Sequence, residues 1–444
     1  MNIRKQAPTS LYCALIAALL LLTLGGLSST PGQSISSTER DRARSMLQTM
    51  KEDIKKYYYD PNFHGMDLDA RFSAADEKIK TATSLGQLFG IIAQAMVDLN
   101  DSHTKFIPPP RTTATEYGWQ MQMVGDRCYV VAVKPGSDAD KKGLKEGDEV
   151  VSVNGVGPNR NTLWKMLYFY YTLAPRSSMR VVAQSPNSEP REIDVIANVK
   201  QGQKTVDMTS YDEYVKSLRQ AQSESRVYAD RYIENADDVF IWKMNDFNSS
   251  EDDVDSMMSK VRNRKALILD LRGNPGGAIA TLLRLISHFS DKDVTVGENH
   301  RRKEIKPMIA KKRDKTFTGQ LVVLVDSGSG SSAEIFARVM QLEKRGTVIG
   351  DQTAGAVMTS RIYGHQSGVD IVVPYGASIT ESNLVMTDGK SLEGLGVTPD
   401  DLRLPTPEDL AARRDPVLAH AASLVGLKMD PKTAGGLFPI LWTK

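Results

Sequence analysis

The stretch Leu321-Val-Val-Leu-Val-Asp-Ser-Gly-Ser-Gly-Ser331-Ser-Ala-Glu-Ile-Phe336 decides how the rest of the chain is read. It opens with an apolar run that reads as a buried strand and passes through a turn of small residues. It then continues with Ile335, Phe336, Val339 and Met340 at helical spacing. A hydroxyl at such a strand-to-helix turn stands at a helix N-terminus, where unpaired N–H groups and the helix dipole favour developing negative charge. That suits an acyl-transfer nucleophile, and Ser331 is the candidate. Two other readings share the same residues. Ser331-x-x-Glu334 ahead of an apolar helix is a capping box. Gly328-x-Gly330-x-x-Ala333, with Asp351 closing the next apolar stretch, has the spacing of a dinucleotide fingerprint.

The chain has 444 residues, enough for two or three domains, with 41% hydrophobic and 25% charged residues, as in ordinary globular proteins. A net charge of +2 offers no electrostatic case for nucleic acid. Arg4 and Lys5 precede an uncharged apolar stretch from Leu11 to Leu27, followed by small and turn residues, so residues 1–30 read as a secretory signal peptide. The alternative is a retained membrane anchor over 11–27, a stretch near the lower length limit for a span. Cys13 falls inside this segment, which leaves Cys128 as the one cysteine of a mature chain and rules out an internal disulfide and a cysteine-based metal site. An exported chain without disulfides fits a bacterial periplasm.

Residues 31–38 read as a linker, and 39–110 as a helical block. Met46, Leu47, Met50 and Ile54 repeat on one helical face, as do Leu88, Ile91, Ile92 and Ala95. The block ends in Asp101-Ser102-His103-Thr104 and the boundary Pro108-Pro109-Pro110. Residues 114–200 form a separate β-rich module, with turns at Gly143 and Gly147, a strand at Val150–Val153 and a hairpin signal at Asn154-Gly155. The run from Pro135 to Gly155 resembles a PDZ domain of the bacterial type. The resemblance implies a peptide added as an extra strand, its carboxylate held by backbone N–H groups of the loop Tyr117-Gly118-Trp119-Gln120. Residues 205–235 read as polar and weakly helical. From Val239 strands and helices alternate, which argues for an α/β core over 205–425, with 426–444 as a C-terminal tail.

Asp270-Leu-Arg-Gly-Asn-Pro-Gly276-Gly277 is a second glycine-rich strand-to-helix turn, read as a tight turn or as an amide nest for an anion. With the Ser331 turn, with Val348-Ile-Gly-Asp-Gln-Thr-Ala-Gly355 and with Gly394-Leu-Gly-Val-Thr-Pro-Asp400, in that order, it resembles the tail-specific, or C-terminal processing, serine peptidases. The resemblance implies a crotonase/Clp-like α/β catalytic core, an N-terminal helical block and an inserted PDZ-like domain. It also implies peptide or protein substrates and neither a metal nor an organic cofactor. It puts the nucleophile on Ser331, with Ser329 as the alternative, and the oxyanion donors on Gly276 or Gly277 and Ser332. Ala356 stands where the family's Ser-Lys members carry a general-base lysine. The tricorn-like branch uses a Ser-His pair and a glutamate instead, which transfers onto Ser102, His103 and Glu393; Asp326 and Asp351 are competitors for the glutamate's role. A histidine base titrates from a reference near ~6.5, whereas a cryptic lysine base such as Lys390 would show its rise at higher pH. With the lysine absent, the alternative functions are a catalytically silent ligand-binding relative and a dinucleotide-binding enzyme. The oligomeric state is not written in these motifs.

Overall fold

The computed structural model describes residues 35–201, 230–234, 238–368 and 372–442. The expected signal peptide, residues 31–34 of the linker, and residues 202–229 and 235–237 lie outside the described residues. Three helices open the described chain: α1 (Ser37–Tyr57), α2 (Leu68–Thr81) and α3 (Leu85–Val97). Each starts where a side chain can take an orphan N–H, with Ser36, Asp67 and Ser84 accepting from the third helical residue. The repeating apolar residues of α1 and α3 meet in one core, which also takes in Phe106, Tyr375, Ala377 and Ile379.

After α3 the chain turns through Asn100, whose φ of 57° is left-handed, into the short strand β1 (Lys105–Ile107). The next module is closed by a stem of β2 (Thr113–Glu116) paired antiparallel with a last strand at Asn198–Gln201. Between them lies a five-stranded antiparallel sheet in the order β3 (Trp119–Val124), β4 (Arg127–Val133), β5 (Glu149–Val153), β6 (Ser178–Gln184), β7 (Arg191–Ile196). A short α4 (Asp138–Lys141) and α5 (Leu163–Leu167), the latter continuing as a wider helical turn to Leu173, cover it. With Asn198–Gln201 numbered β8, the α/β part runs β9 (Arg231–Glu234), β10 (Val239–Lys243), α6 (Glu251–Val261), β11 (Ala266–Asp270), α7 (Ile279–Ser287), β12 (Val294–Arg301), β13 (Ile305–Ala310), β14 (Gln320–Val325), α8 (Ser332–Leu342), β15 (Thr347–Gly350), β16 (Thr359–Ser367), β17 (Val373–Met386) and β18 (Asp401–Leu402). It ends in α9 (Pro407–Ala411), α10 (Pro416–Leu424) and α11 (Pro431–Leu437).

The main sheet has the order β18-β15-β14-β11-β10-β9, parallel except for β9. Its strands are apolar on both faces because both faces are covered. Leu267, Leu269, Leu321 and Val323 pack with Leu285 and Phe336 on one side, and Ala266, Ile268, Val322 and Leu324 with Leu418 and Ala422 on the other. Two expected boundaries dissolve in this packing. Residues 426–444, expected as a tail, contribute Leu427, Ala434 and α11 to the second core, since α10 has an apolar face that needs cover. The helical block is not separate either. Its strand β1 pairs with β17 in a second, antiparallel sheet of order β1-β17-β12-β13, with β16 also on β17. That pairing carries His103 to the α/β part.

Candidate active site

Ser331 sits at the N-terminus of α8 with φ 51° and ψ −119°, a conformation that few non-glycine residues adopt. Its N–H is held by the Ala356 carbonyl at 2.8 Å and by Glu334 Oε2 at 3.0 Å. Glu334 therefore does complete a capping box, but capping leaves the hydroxyl hydrogen of Ser331 unused. The hydroxyls of Ser327, Ser329 and Ser332 each donate to a carbonyl, of Met123, Leu271 and Gly277 respectively. The Ser331 hydroxyl donates to none of the described residues. Ser329, the sequence alternative, is fully buried and fixed by its bond to Leu271.

The glycine turn after β11 lies directly against this serine. A Cβ on Gly276 (φ 92°) would come within 2.6 Å of the Ser331 Cβ and 2.8 Å of the Ser332 nitrogen, so only glycine fits there. The two turns are stitched together by Gly330 N–H to the Asn274 carbonyl, and by Gly273 and Gly328 N–H to Asp326 Oδ1. Gly276 N–H already donates to Asn274 Oδ1 at 2.9 Å. Gly277 N–H donates to none of the described residues, and Ser332 opens a helix, where its N–H has no carbonyl one turn back. Of the donors expected for an oxyanion, Gly277 and Ser332 are the two that are free. Arg272 anchors the turn from behind, bridging Asp270 and Asp415, and these two carboxylates hold its pKa well above the usual arginine value.

On the other side, Ser102 Oγ is 2.6 Å from His103 Nδ1 and donates to Glu393 Oε2 at 2.9 Å, while Ser102 N–H donates to Glu393 Oε1 at 2.7 Å. Asp101, 4% exposed, fixes the backbone by accepting from His103 N–H, Thr104 N–H and the Thr380 hydroxyl. Val357 N–H donates to Glu393 Oε2 at 2.9 Å. One peptide thus spans both halves: the Ala356 carbonyl holds Ser331 and the Val357 N–H holds Glu393. No hydrogen bond joins His103 to Ser331 in this structure; such bonds are often long in free enzymes and tighten on binding. Burial, and next the Lys105 charge, push the His103 pKa down to about 4, with Asp101 opposing. Burial raises that of Glu393.

Sequence reading credited Glu334 with capping alone. It is fully buried and accepts from Ser331 N–H, the Thr353 hydroxyl, Gly355 N–H and Ala356 N–H, so it ties Ser331 to the loop that holds Glu393. Burial outweighs these donors and lifts its pKa to about 7. Lys390 is exposed, without the desolvation a lysine base requires. Asp326 receives Gln122 at 2.6 Å, and Asp351 is clamped by Arg160 at 2.7 Å and by Gly125 N–H, so both join β3–β5 surroundings to the core instead of orienting His103. That clamp also removes Asp351 from the ribose-binding role of a dinucleotide site.

In the expected peptide-binding loop, Tyr117 and Trp119 are core residues, 1% and 2% exposed. Tyr117 Oη donates to the Arg176 carbonyl, and Trp119 Nε1 is buried without a partner. Gly118 (φ 74°) is pressed on Ser137, and Gln120 is exposed. Any peptide recognition there falls to the backbone of the loop and to β3, which is the edge strand of its sheet.

A half-buried serine at a helix N-terminus, a facing amide turn and a half-buried Ser-His-Glu chain beside a parallel α/β sheet make the arrangement of a serine hydrolase site. Comparison with known proteins narrows the class. Residues 239–402 match the model of Peptidase family S41, and residues 109–161 that of the PDZ domain. The carboxy-terminal processing protease CtpA of Bacillus subtilis (strain 168) is 24% identical over 397 residues, 88% of this chain and 75% of that protein. The chloroplastic carboxyl-terminal-processing peptidase 1 of Arabidopsis thaliana is 23% identical over 343 residues, 73% of this chain and 64% of that one. Mature CPAF complexed with lactacystin shares the fold with a TM-score of 0.61 at 16% identity, over 84% of this chain and 96% of its own. The photosystem II D1 C-terminal processing protease does so with a TM-score of 0.51 at 18% identity, over 91% and 100%. The chain is a serine-type peptidase, in which a region similar to Peptidase family S41 follows one similar to a PDZ domain, and it is similar over most of its length to C-terminal processing peptidases. Its substrates are proteins or peptides.

Proposed function

We propose that this chain is an exported endopeptidase that cleaves through an acyl-enzyme on Ser331 with His103 as the general base. His103 takes the hydroxyl proton as Ser331 Oγ attacks the scissile carbonyl, and returns it to the leaving amine; water then releases the acyl group by the same route. Ser102 and Glu393 hold the imidazole tautomer and stabilise the imidazolium. Gly277 and Ser332 N–H groups receive the oxyanion, with Gly276 shaping the approach. The PDZ domain, through the Tyr117–Gln120 loop and β3, binds the substrate's C-terminal segment.

The observation that carries this reading is the Ser102–Glu393 chain ending on Val357, next to the Ala356 carbonyl that holds Ser331. With alanine at the lysine position, His103 is the candidate base, linked through Ser102 and Glu393 to Val357 beside the Ser331 turn. Export follows from the N-terminal segment, with membrane attachment through 11–27 as its variant. Labelling with a fluorophosphonate, with mass spectrometry to locate the adduct, tests the site. The adduct is expected on Ser331 and is expected to be lost in His103→Ala; an adduct elsewhere, or full labelling of that variant, refutes the assignment.

A further inference from the structure

The buried carboxylate of Asp101 uses one oxygen and leaves the other idle. Oδ1 accepts three bonds, from His103 N–H at 2.8 Å, Thr104 N–H at 2.7 Å and the Thr380 hydroxyl at 2.7 Å. Oδ2 is buried and accepts none among the described residues. A backbone turn of this kind needs one acceptor, and a neutral asparagine supplies it equally well. A buried charge with one oxygen unpaired is unfavourable, so the turn alone does not account for an aspartate here. The surrounding charges do. Along 103–106 burial alternates, with Thr104 and Phe106 buried and His103 and Lys105 half-buried. Residues two apart on a strand share a face, so Lys105 stands on the same side of β1 as the proposed base. Its ammonium lies 4.7 Å over the Trp164 ring and works against a proton on the imidazole. Burial destabilises that ammonium; of the charges that oppose this, Asp101 comes first and Glu393 second. Asp101 also favours a proton on His103. The groups that face it from α1 are phenols. Burial, and then the Asp101 charge, lifts Tyr58 well above its ordinary pKa and Tyr59 to about 12, with Asp60 adding to both.

We propose that Asp101 is a positioning residue of the peptidase site: Oδ1 fixes the turn that presents His103, and the carboxylate charge offsets Lys105 and supports the imidazolium that forms as Ser331 attacks. Ser102 engages Nδ1 of His103, so the proton leaving Ser331 Oγ arrives on Nε2 as the Oγ–carbon bond forms. The new cation then meets Lys105 and Asp101 directly, and Glu393 through the Ser102 hydroxyl. With a neutral residue at 101 the turn would stand, but Lys105 would act on the imidazole unopposed. His103 would be a weaker base and its protonated form less stable.

This rests on the reading of His103 as the base, and the experiment separates the two. Asp101→Asn keeps an oxygen for all three donors and removes the charge. On a short peptide at neutral pH it should lower kcat about tenfold and leave KM within about twofold, because proton transfer suffers and binding does not. Lys105→Met should act in the opposite direction. The double variant Asp101→Asn/Lys105→Met should return kcat to within about threefold of wild type, since the two charges leave together. It also guards against misfolding, as it strands no ammonium beside a neutral turn. The pH midpoint of kcat/KM is read in the Lys105→Met background, where it lies higher. Adding Asp101→Asn should lower it by about one unit. Adding Thr380→Val, which takes a donor from the turn and leaves the charge, should not move it. A folded double variant as slow as Asp101→Asn alone, a midpoint that Asp101→Asn leaves in place, or one that Thr380→Val shifts equally makes Asp101 a turn residue only and overturns the proposal. His103→Ala distinguishes the failures. Activity kept there removes the base and this proposal with it, whereas activity lost there but kept in Asp101→Asn overturns this proposal alone.

Discussion

At the scale of single residues, Ser331 combines strain with a hydroxyl free to react. Its positive φ costs about 1–3 kcal/mol, as sparsely populated backbone conformations do. Ser331→Ala should abolish cleavage and leave stability nearly unchanged, because alanine bears the same strain. Ser331→Gly should be equally inactive but more stable, on the order of 1 kcal/mol, since glycine tolerates that backbone; denaturant unfolding of the two variants checks this. Activity in either removes Ser331 from the mechanism. For His103 the sequence suggested titration near ~6.5, but burial and Lys105 bring the pKa to about 4. The base must be neutral to act, so kcat/KM of the free enzyme should rise through about pH 4 and be flat near neutrality. In Lys105→Met the rise should move to higher pH, because a cation that opposed protonation is gone. A wild-type midpoint above pH 8 that persists in His103→Ala would point to a lysine base.

At the scale of elements, the loop from Thr353 to Val357 matters as much as the helix that follows Ser331. Glu334 holds that loop and Ser331 in one geometry from a fully buried position. Glu334→Ala would leave the Gly355 and Ala356 N–H groups and the Thr353 hydroxyl without an acceptor, so it should cost about 3 kcal/mol and most activity. The charge has its own signature. The folded chain keeps a proton on Glu334 up to about pH 7, whereas the unfolded chain releases it near 4.5. This group's contribution therefore declines as pH rises from 4.5 to about 7. Glu334→Gln should flatten that part of the stability profile; an unchanged slope in urea unfolding would show that the carboxyl does not titrate in this window.

At the scale of the whole molecule, the PDZ domain touches the core near the site itself. Arg160 reaches Asp351 and the Gln352 carbonyl, and Gly125 N–H also donates to Asp351, while Gln122 reaches Asp326 and Ser327 reaches Met123. The edge strand β3 is thus held beside the turn that carries Ser331. Binding energy gathered on the PDZ domain is available to substrates long enough to span both domains. Deleting 114–200 should lower kcat/KM for protein substrates more than for short peptides. An equal loss for both, in a variant that keeps the fold of the core, would reduce the domain to a structural support.

The sequence by itself determined the α/β core, the peptidase class and the turns at Gly276 and Ser331, because these are written locally. A buried parallel strand is a continuous apolar run, and a turn that demands positive φ or close approach demands glycine or a small residue. The PDZ module was legible for the same reason, in Gly143, Gly147 and Asn154-Gly155. Tertiary structure alone decided what depends on distant segments. It joined Ser102 to Glu393 and made Glu334 a hub instead of a cap. It placed Lys105 over Trp164, engaged Asp351 with Arg160, and drew residues 427–437 into a core that the sequence had left open. None of these has a local pattern. A carboxylate's partners, and the desolvation that sets its pKa, are fixed by which chains pack around it and not by its neighbours in sequence.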